Sequence, residues 1–389
     1  MRTFALRMER LGTEAAFEYL AKAKQLEAQG RDIIHMEIGQ PDFPTPPHIC
    51  KAAYQAMQAG HTGYGPAAGL PELKSAIARH ISKTRHLSVE PDRVVIMPGA
   101  KPVIFLTILA LVDPQDEVIY PNPGFPIYKS VIDFVGAKPV PLPLREVVNF
   151  RIQIEDLKTL VNDCTKLLIL NSPQNPTGGV LTSEDLAEIA TLAQQYDFYI
   201  LADEIYSHIL YDQTHTSIAS LPGMEERTIL LDGFSKTYAM TGWRLGYAVA
   251  SPEISEKLTQ LMINTNSCTC SFTQLAGVTA LEGDQTFVEK MVMEFHRRRD
   301  MIVTRINQIA GISCQMPRGA FYAFPNVSQL PLDDQAIADY LMTEAGVVVL
   351  PGSSFGNQGQ GYLRLSYANS FSKIEEALDR IEQAVHTLI

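Results

Sequence analysis

The sequence predicts an α/β chain in which a largely parallel, mixed sheet is covered by helices on both faces and followed by a smaller α+β unit. Two observations predict it. From about residue 90 onward six short apolar runs recur: VVIM at 94–97, EVIY at 117–120, LLIL at 167–170, YILA at 199–202, TILL at 228–231 and YAVA at 247–250. Between them lie segments with apolar residues every three or four positions, the period of a helix that buries one face. Short buried strands alternating with such helices form parallel sheets, because each strand returns through a crossover.

Glu184 to Gln195 is one such helix, opened by Thr182-Ser183 as caps. From residue 285 the texture changes to a long charged helical stretch, then short alternating segments, GAFYAF at 319–324 and GYLRLSY at 361–367. An amphipathic helix, Ser372 to Leu388, ends the chain. The expected organisation is an N-terminal segment, 1–46, that joins a small C-terminal domain, 283–389, with a large domain, 47–282, between them.

The 389 residues are 46% hydrophobic and 19% charged, enough apolar material for a large core. Formal net charge is −11 with the acidic residues spread along the chain, and no basic stretch supplies a nucleic-acid surface. His296-Arg297-Arg298-Arg299 is short and helical in pattern, so it reads as a solvated helix face. The N-terminal thirty residues carry charges throughout, with no apolar core of signal-peptide length, so a cytoplasmic chain with no membrane partner is expected. Five cysteines are too few for a disulfide framework. Cys268 and Cys270 lack a second ligand pair, so no metal is expected and both read as packed or partly buried thiols.

Ligands of parallel sheets bind at the carboxyl ends of the strands, so chemistry is sought just after each run. VVIM is followed by Pro98-Gly99-Ala100-Lys101, a turn into a helix whose free amides suit a phosphate; a plain connection is its other reading. EVIY leads to Pro123-Gly124-Phe125-Pro126, which presents a ring for stacking or for core packing. LLIL leads to Asn171-Ser-Pro-Gln-Asn175-Pro-Thr-Gly-Gly179, where turn formation explains the prolines and glycines but not Asn175. YILA ends in Asp203-Glu204-Ile205-Tyr206, a carboxylate that needs a donor or a cation, or else caps a helix. TILL delivers Ser235, Lys236 and, eight residues on, Arg244.

A lysine at the tip of a buried strand is costly unless something compensates it. Together these ends offer a phosphate cradle, a flat aromatic ring, an Asn, a buried Asp with a Tyr, and a Lys with a Ser and an Arg. Pyridoxal 5′-phosphate asks for that set: its aldehyde takes a lysine, its pyridine nitrogen a carboxylate, its phosphate amides, a hydroxyl and a guanidinium.

SPQNPTGG, ADEIY, SKTYAMTGWRLGY and RLSY, in this order and spacing, resemble the class I aminotransferases of the type I pyridoxal-phosphate fold, in particular the bacterial aspartate aminotransferase subgroup. The likeness runs from Gly39-Gln-Pro-Asp to Arg364-Leu-Ser-Tyr. It implies that Lys236 forms the internal aldimine and then shuttles the substrate α-proton. It also implies that Asp203 keeps the pyridine nitrogen protonated, and that Asn175 and Tyr206 bond the phenolic oxygen. By the same likeness Ser235, Arg244, Gly99, Ala100 and Lys101 hold the phosphate, and Phe125 stacks on the ring. Arg364, with Gly39 and Asn175, takes the substrate α-carboxylate, a bidentate task that suits guanidinium. Tyr64 resembles the tyrosine that reaches a phosphate across a dimer interface, which implies a homodimer with shared sites. The stacking position carries Phe125 where aspartate-specific relatives commonly carry Tyr or Trp, and no second cation for a side-chain carboxylate is identified.

The resemblance therefore implies a ping-pong aminotransferase that moves nitrogen from an L-amino acid to a 2-oxo acid. A lyase of the same fold (β-elimination) is the alternative, because one fold hosts several chemistries. A non-catalytic cofactor-binding regulator is a further one.

Overall fold

The structure is a computed structural model and describes residues 4–389; the first three residues of the expected N-terminal segment lie outside the described residues. Among the described residues the strands are β1 (Ile34–His35), β2 (Val94–Met97), β3 (Glu117–Asn122), β4 (Lys138–Pro143), β5 (Thr165–Asn171), β6 (Tyr199–Asp203), β7 (Thr228–Gly233), β8 (Gly246–Val249), β9 (Tyr322–Ala323), β10 (Val347–Val348), β11 (Leu350–Pro351) and β12 (Leu363–Ser366). All six apolar runs became strands of one seven-stranded sheet, ordered β2-β8-β7-β6-β5-β3-β4. The pairs among β3, β4, β5, β6 and β7 are parallel, and β8 alone runs against its neighbours β7 and β2. Helices such as Lys101–Leu111 and Ser183–Tyr196 supply the crossovers.

β4, KPVPLP, carries no strand signal in the sequence because its three prolines break it. The strand sits at the sheet edge with β3 as its partner. Lys138 and Leu144 donate their N–H groups inward, to Asp116 and Asn122. Successive residues face opposite ways, so Pro139, Pro141 and Pro143 turn their missing N–H outward, where no ladder bond is lost.

Two smaller sheets follow. The antiparallel set β11-β12-β9 uses the alternating segments the sequence marked, although fewer of their residues pair than the alternation suggested. β1 pairs in parallel with β10, Ile34 opposite Val347, so the N-terminal segment packs with the C-terminal part.

The basic run at 296–299 is a solvated face only in part: Arg297 is exposed, as expected. Arg298 and Arg299 are buried: Arg298 pairs with Asp42 at 2.7 Å and Glu294 at 3.0 Å, and Arg299 pairs with Asp300 at 2.7 Å. Their guanidinium groups also lie over Phe43 and Tyr211, which lets a planar cation be buried with partners on every side. Cys270 is exposed rather than packed, while Cys268 is half-buried. Among the described residues no cluster suited to a metal ion occurs and no helix is long and apolar enough to cross a membrane.

Candidate active site

The carboxyl ends of β2, β5, β6 and β7 surround a cavity of about 490 Å³. Lys236 stands in the single helical turn Phe234–Thr237 directly after β7. Its Nζ donates to the Gly39 carbonyl at 2.5 Å, and Gly39 also lines the cavity. Removal from water draws the ammonium pKa down to about 8, and the positive charges of Arg364, Arg244 and Lys101 push the same way. A neutral amine is therefore within reach near physiological pH.

Asp203, at the end of β6, is buried. Burial raises its pKa to about 6, against the pull of two donors: Tyr128 Oη at 2.6 Å and the Ile205 N–H at 3.3 Å. Beside it Asn171 closes β5, donating to the Asp203 carbonyl at 3.1 Å and accepting from the Asn175 N–H at 2.9 Å. That brace fixes Asn175, whose Oδ1 accepts from Arg364 Nη1 at 3.1 Å. Arg364 is buried on β12, bonded also to the Glu37 carbonyl, and its Nε finds no acceptor among the described residues. A buried guanidinium N–H left open beside a cavity is a ready place for an anion.

At the opposite end, Gly99 takes φ +101°, a conformation side chains rarely adopt, and a side chain there would strike the Arg244 guanidinium. Helix Lys101–Leu111 starts at this turn; Pro102 has no N–H and the Val103 and Gly99 N–H groups donate to the Ala100 and Met97 carbonyls, which leaves the Ala100 and Lys101 amides for an anion. Ala100, Ser235 and Arg244 line this end of the cavity. The Lys101 amine is not free: it pairs with Glu14 and lies 5.5 Å from the Phe125 ring centroid. Phe125 lines the cavity and meets Tyr128 edge to face, their centroids 5.8 Å apart.

Of the residues singled out in the sequence, Gly39, Ala100, Lys101, Phe125, Asn175, Asp203, Tyr206, Ser235, Lys236, Arg244 and Arg364 line one cavity, and Gly99 shapes its rim from behind. Tyr64 does not: it is 92% exposed. The structure adds Glu14, Phe17, Ile38, Tyr128, Asn171 and Tyr322 to the lining. Tyr128 was within reach of the sequence, three residues beyond Phe125 in one helical turn. Asn171 opens the loop already quoted. Nothing local marks Glu14, Phe17 or Tyr322, which come from distant parts of the chain.

The donor set fits pyridoxal phosphate: an amine of lowered pKa, a buried carboxylate, an anion cradle at a helix start, and a guanidinium with an open N–H at the other end. Fold and cavity together define an α/β chain in which a strand-end lysine, a buried carboxylate and a guanidinium with an open N–H share one cavity.

A model of the family described as aminotransferase class I and II matches residues 31–381. The aspartate aminotransferase of Pyrococcus abyssi is 41% identical over 370 residues, covering 94% of this chain and 95% of the relative. The aromatic-amino-acid aminotransferase 2 of Thermococcus litoralis is 40% identical, covering 92% and 93%. Among solved structures, the aspartate aminotransferase of Rhizobium meliloti superposes with a TM-score of 0.96 at 34% identity, covering 100% of both chains. The chain belongs to the class I and II aminotransferases, a pyridoxal-phosphate-dependent family. It is a transferase of nitrogenous groups with the type I fold, and elimination chemistry is not favoured.

Proposed function

We propose that this enzyme binds pyridoxal phosphate in the cavity at the strand ends and passes an amino group from an L-amino acid to a 2-oxo acid in two half-reactions. The observation that carries the reading is the Lys236 amine, held at the end of β7 with its pKa drawn down to about 8, in the same cavity as the buried Asp203. When bound, the cofactor supplies a conjugated ring that accepts the electron pair left at the substrate α-carbon.

Lys236 would anchor the aldehyde through its neutral Nζ, and the same amine would take up the substrate α-proton and return it. Asp203, steadied by Tyr128, holds a proton on the ring nitrogen. Tyr206 and Asn175 bond the ring oxygen. The turn at Gly99, whose own N–H is taken by the Met97 carbonyl, the amides of Ala100 and Lys101, the Ser235 hydroxyl and Arg244 would hold the phosphate, while Phe125 would pack on the ring face. Arg364 grips the α-carboxylate with help from Asn175 and Gly39. Its position is supported by the open Nε and by the hydrogen bond to Asn175.

We further infer a homodimer in which Tyr64 of each copy reaches the phosphate of the other, and a division into a large domain, 47–282, and a small one made of 283–389 with the N-terminal segment. The 92% exposure of Tyr64, with Tyr54 and Met57 exposed nearby, supports the first, and the pairing of Ile34 with Val347 supports the second.

Borohydride reduction of the cofactor-loaded enzyme, followed by peptide mapping, should label Lys236; a label on another lysine overturns the assignment. A panel of amino donors should form oxo acids beyond one equivalent per site only when 2-oxoglutarate or another acceptor is supplied. Release of pyruvate and ammonia without an acceptor would overturn transfer.

A further inference from the structure

Tyr322 lines the cavity between Tyr206 and Arg364. It lies on β9, which pairs with β12 so that Ser366 faces Tyr322. Arg364, two residues along β12, is its diagonal neighbour on the same face of the sheet. The Arg364 guanidinium lies 4.5 Å from the Tyr322 ring centroid and 4.9 Å from that of Phe355. The hydroxyl of Tyr322 meets that of Tyr206 at 2.7 Å, the two rings standing nearly perpendicular at 81°. The same hydroxyl fills the space a side chain on Gly39 would need, against the residue whose carbonyl receives Lys236 Nζ.

Each phenol has a single proton to give. A Tyr206 that accepts from Tyr322 keeps its own proton for an oxygen in the cavity; a Tyr206 that donates to Tyr322 has spent it. A guanidinium with one N–H open needs its plane fixed if that N–H is to aim at a ligand, and an aromatic face fixes it at little entropic cost.

We propose that Tyr322 is a positioning residue for both ends of the substrate–cofactor complex: its hydroxyl donates to Tyr206, leaving the Tyr206 proton for the cofactor oxygen, and its ring is the platform that orients Arg364. This rests on the reading of the cavity given above. The two roles separate by substitution. Tyr322→Phe keeps the ring and removes the donor. Tyr322→Leu removes both.

The test uses the full-length, cofactor-loaded enzyme and follows the pH titration of its visible absorbance together with steady-state kinetics. A donor to the cofactor oxygen lowers the proton affinity of the conjugated system, and a hydroxyl that itself accepts a hydrogen bond donates a stronger one, so Tyr322→Phe, which leaves Tyr206 bonded but unpolarised, should raise the titration midpoint by about 0.3 pH unit. KM for the amino acid should stay within about twofold, since the platform under Arg364 remains. Tyr322→Leu should show the same spectral shift and also a KM raised about tenfold, the scale of a desolvated cation–π contact. Tyr322→Met replaces it if the leucine chain does not fold.

An unmoved midpoint in Tyr322→Phe overturns the role of the hydroxyl, and a KM no higher in Tyr322→Leu than in Tyr322→Phe overturns the platform. Both results presuppose a wild type that titrates normally. A wild type that stays colourless with the cofactor overturns the reading of the cavity, and this proposal with it.

Discussion

Lys236 and Asp203 share one cavity but are shifted by burial in ways that suit different tasks. Water is withdrawn from both, which favours the uncharged form of each. For Lys236 this lowers the pKa to about 8, and the unfolded chain keeps the ordinary value near 10.5. Between those values the unfolded state binds more protons, so the cofactor-free protein should gain stability as pH rises from about 8 towards 10.5. Thermal melts across that window should show a slope that Lys236→Ala flattens. Capture of the cofactor aldehyde requires the neutral amine, so its rate should rise with pH with a midpoint near 8, measured by stopped-flow absorbance.

In the proposed role Asp203 has the opposite need, because it would have to stay charged to hold a ring proton. Burial lifts it to about 6 and Tyr128 pulls it back. Tyr128→Phe should therefore move the acid limb of cofactor binding to higher pH and weaken binding about tenfold at neutral pH, the scale of a hydrogen bond to a charged group. Equilibrium titration of the cofactor-free enzyme measures both.

Among the elements, helix Ser183–Tyr196 was legible almost to the residue because its start is written in short-range chemistry. Thr182 accepts from the Asp185 N–H while Asp185 accepts from the Thr182 N–H, a reciprocal capping box. Thr182→Ala should cost about 1 kcal/mol in a denaturant titration and leave kcat unchanged, since no capping atom faces the cavity. Helix Pro71–Arg85 ends quite differently. Arg85 is buried and reaches Glu204 at 2.8 Å, Asp232 at 2.9 Å and Ser207 at 2.6 Å, tying the ends of β6 and β7 together from outside the cavity. Asp232 and Glu204 meet Arg85 on unequal terms: burial lifts Asp232 to about 6, whereas at Glu204 the same burial is outweighed by the charges of His215 and Arg85, which hold it down to about 2. Arg85→Met should cost about 3 to 5 kcal/mol, because two buried carboxylates lose their cation, and urea melts should record it. Nothing in the sequence near Arg85 points to this, since its partners lie over a hundred residues away.

At the scale of the whole molecule, Tyr64 separates one copy from two. It is exposed in the single chain although the resemblance assigns it to a phosphate. If it serves the neighbouring copy, mixing a Tyr64→Ala chain with a Lys236→Ala chain should restore activity above either alone: the heterodimer has one site with both its own Lys236 and an intact tyrosine from the other subunit. Unchanged activity after exchange of subunits, checked by mass spectrometry, would show that Tyr64 does not cross an interface. The sequence by itself determined the six central strands, the cap of Ser183–Tyr196 and the chemistry-bearing residues at the strand ends, because strand period, capping and residue identity are local properties of the chain. Only the tertiary structure decided that Glu14 and Phe17 wall the cavity, that β4 closes the sheet edge despite its prolines, that Arg298 and Arg299 are buried, and that Tyr322 joins Tyr206 to Arg364. Those pairings come from how distant segments are brought together in the packed fold, and no spacing within a single segment encodes them.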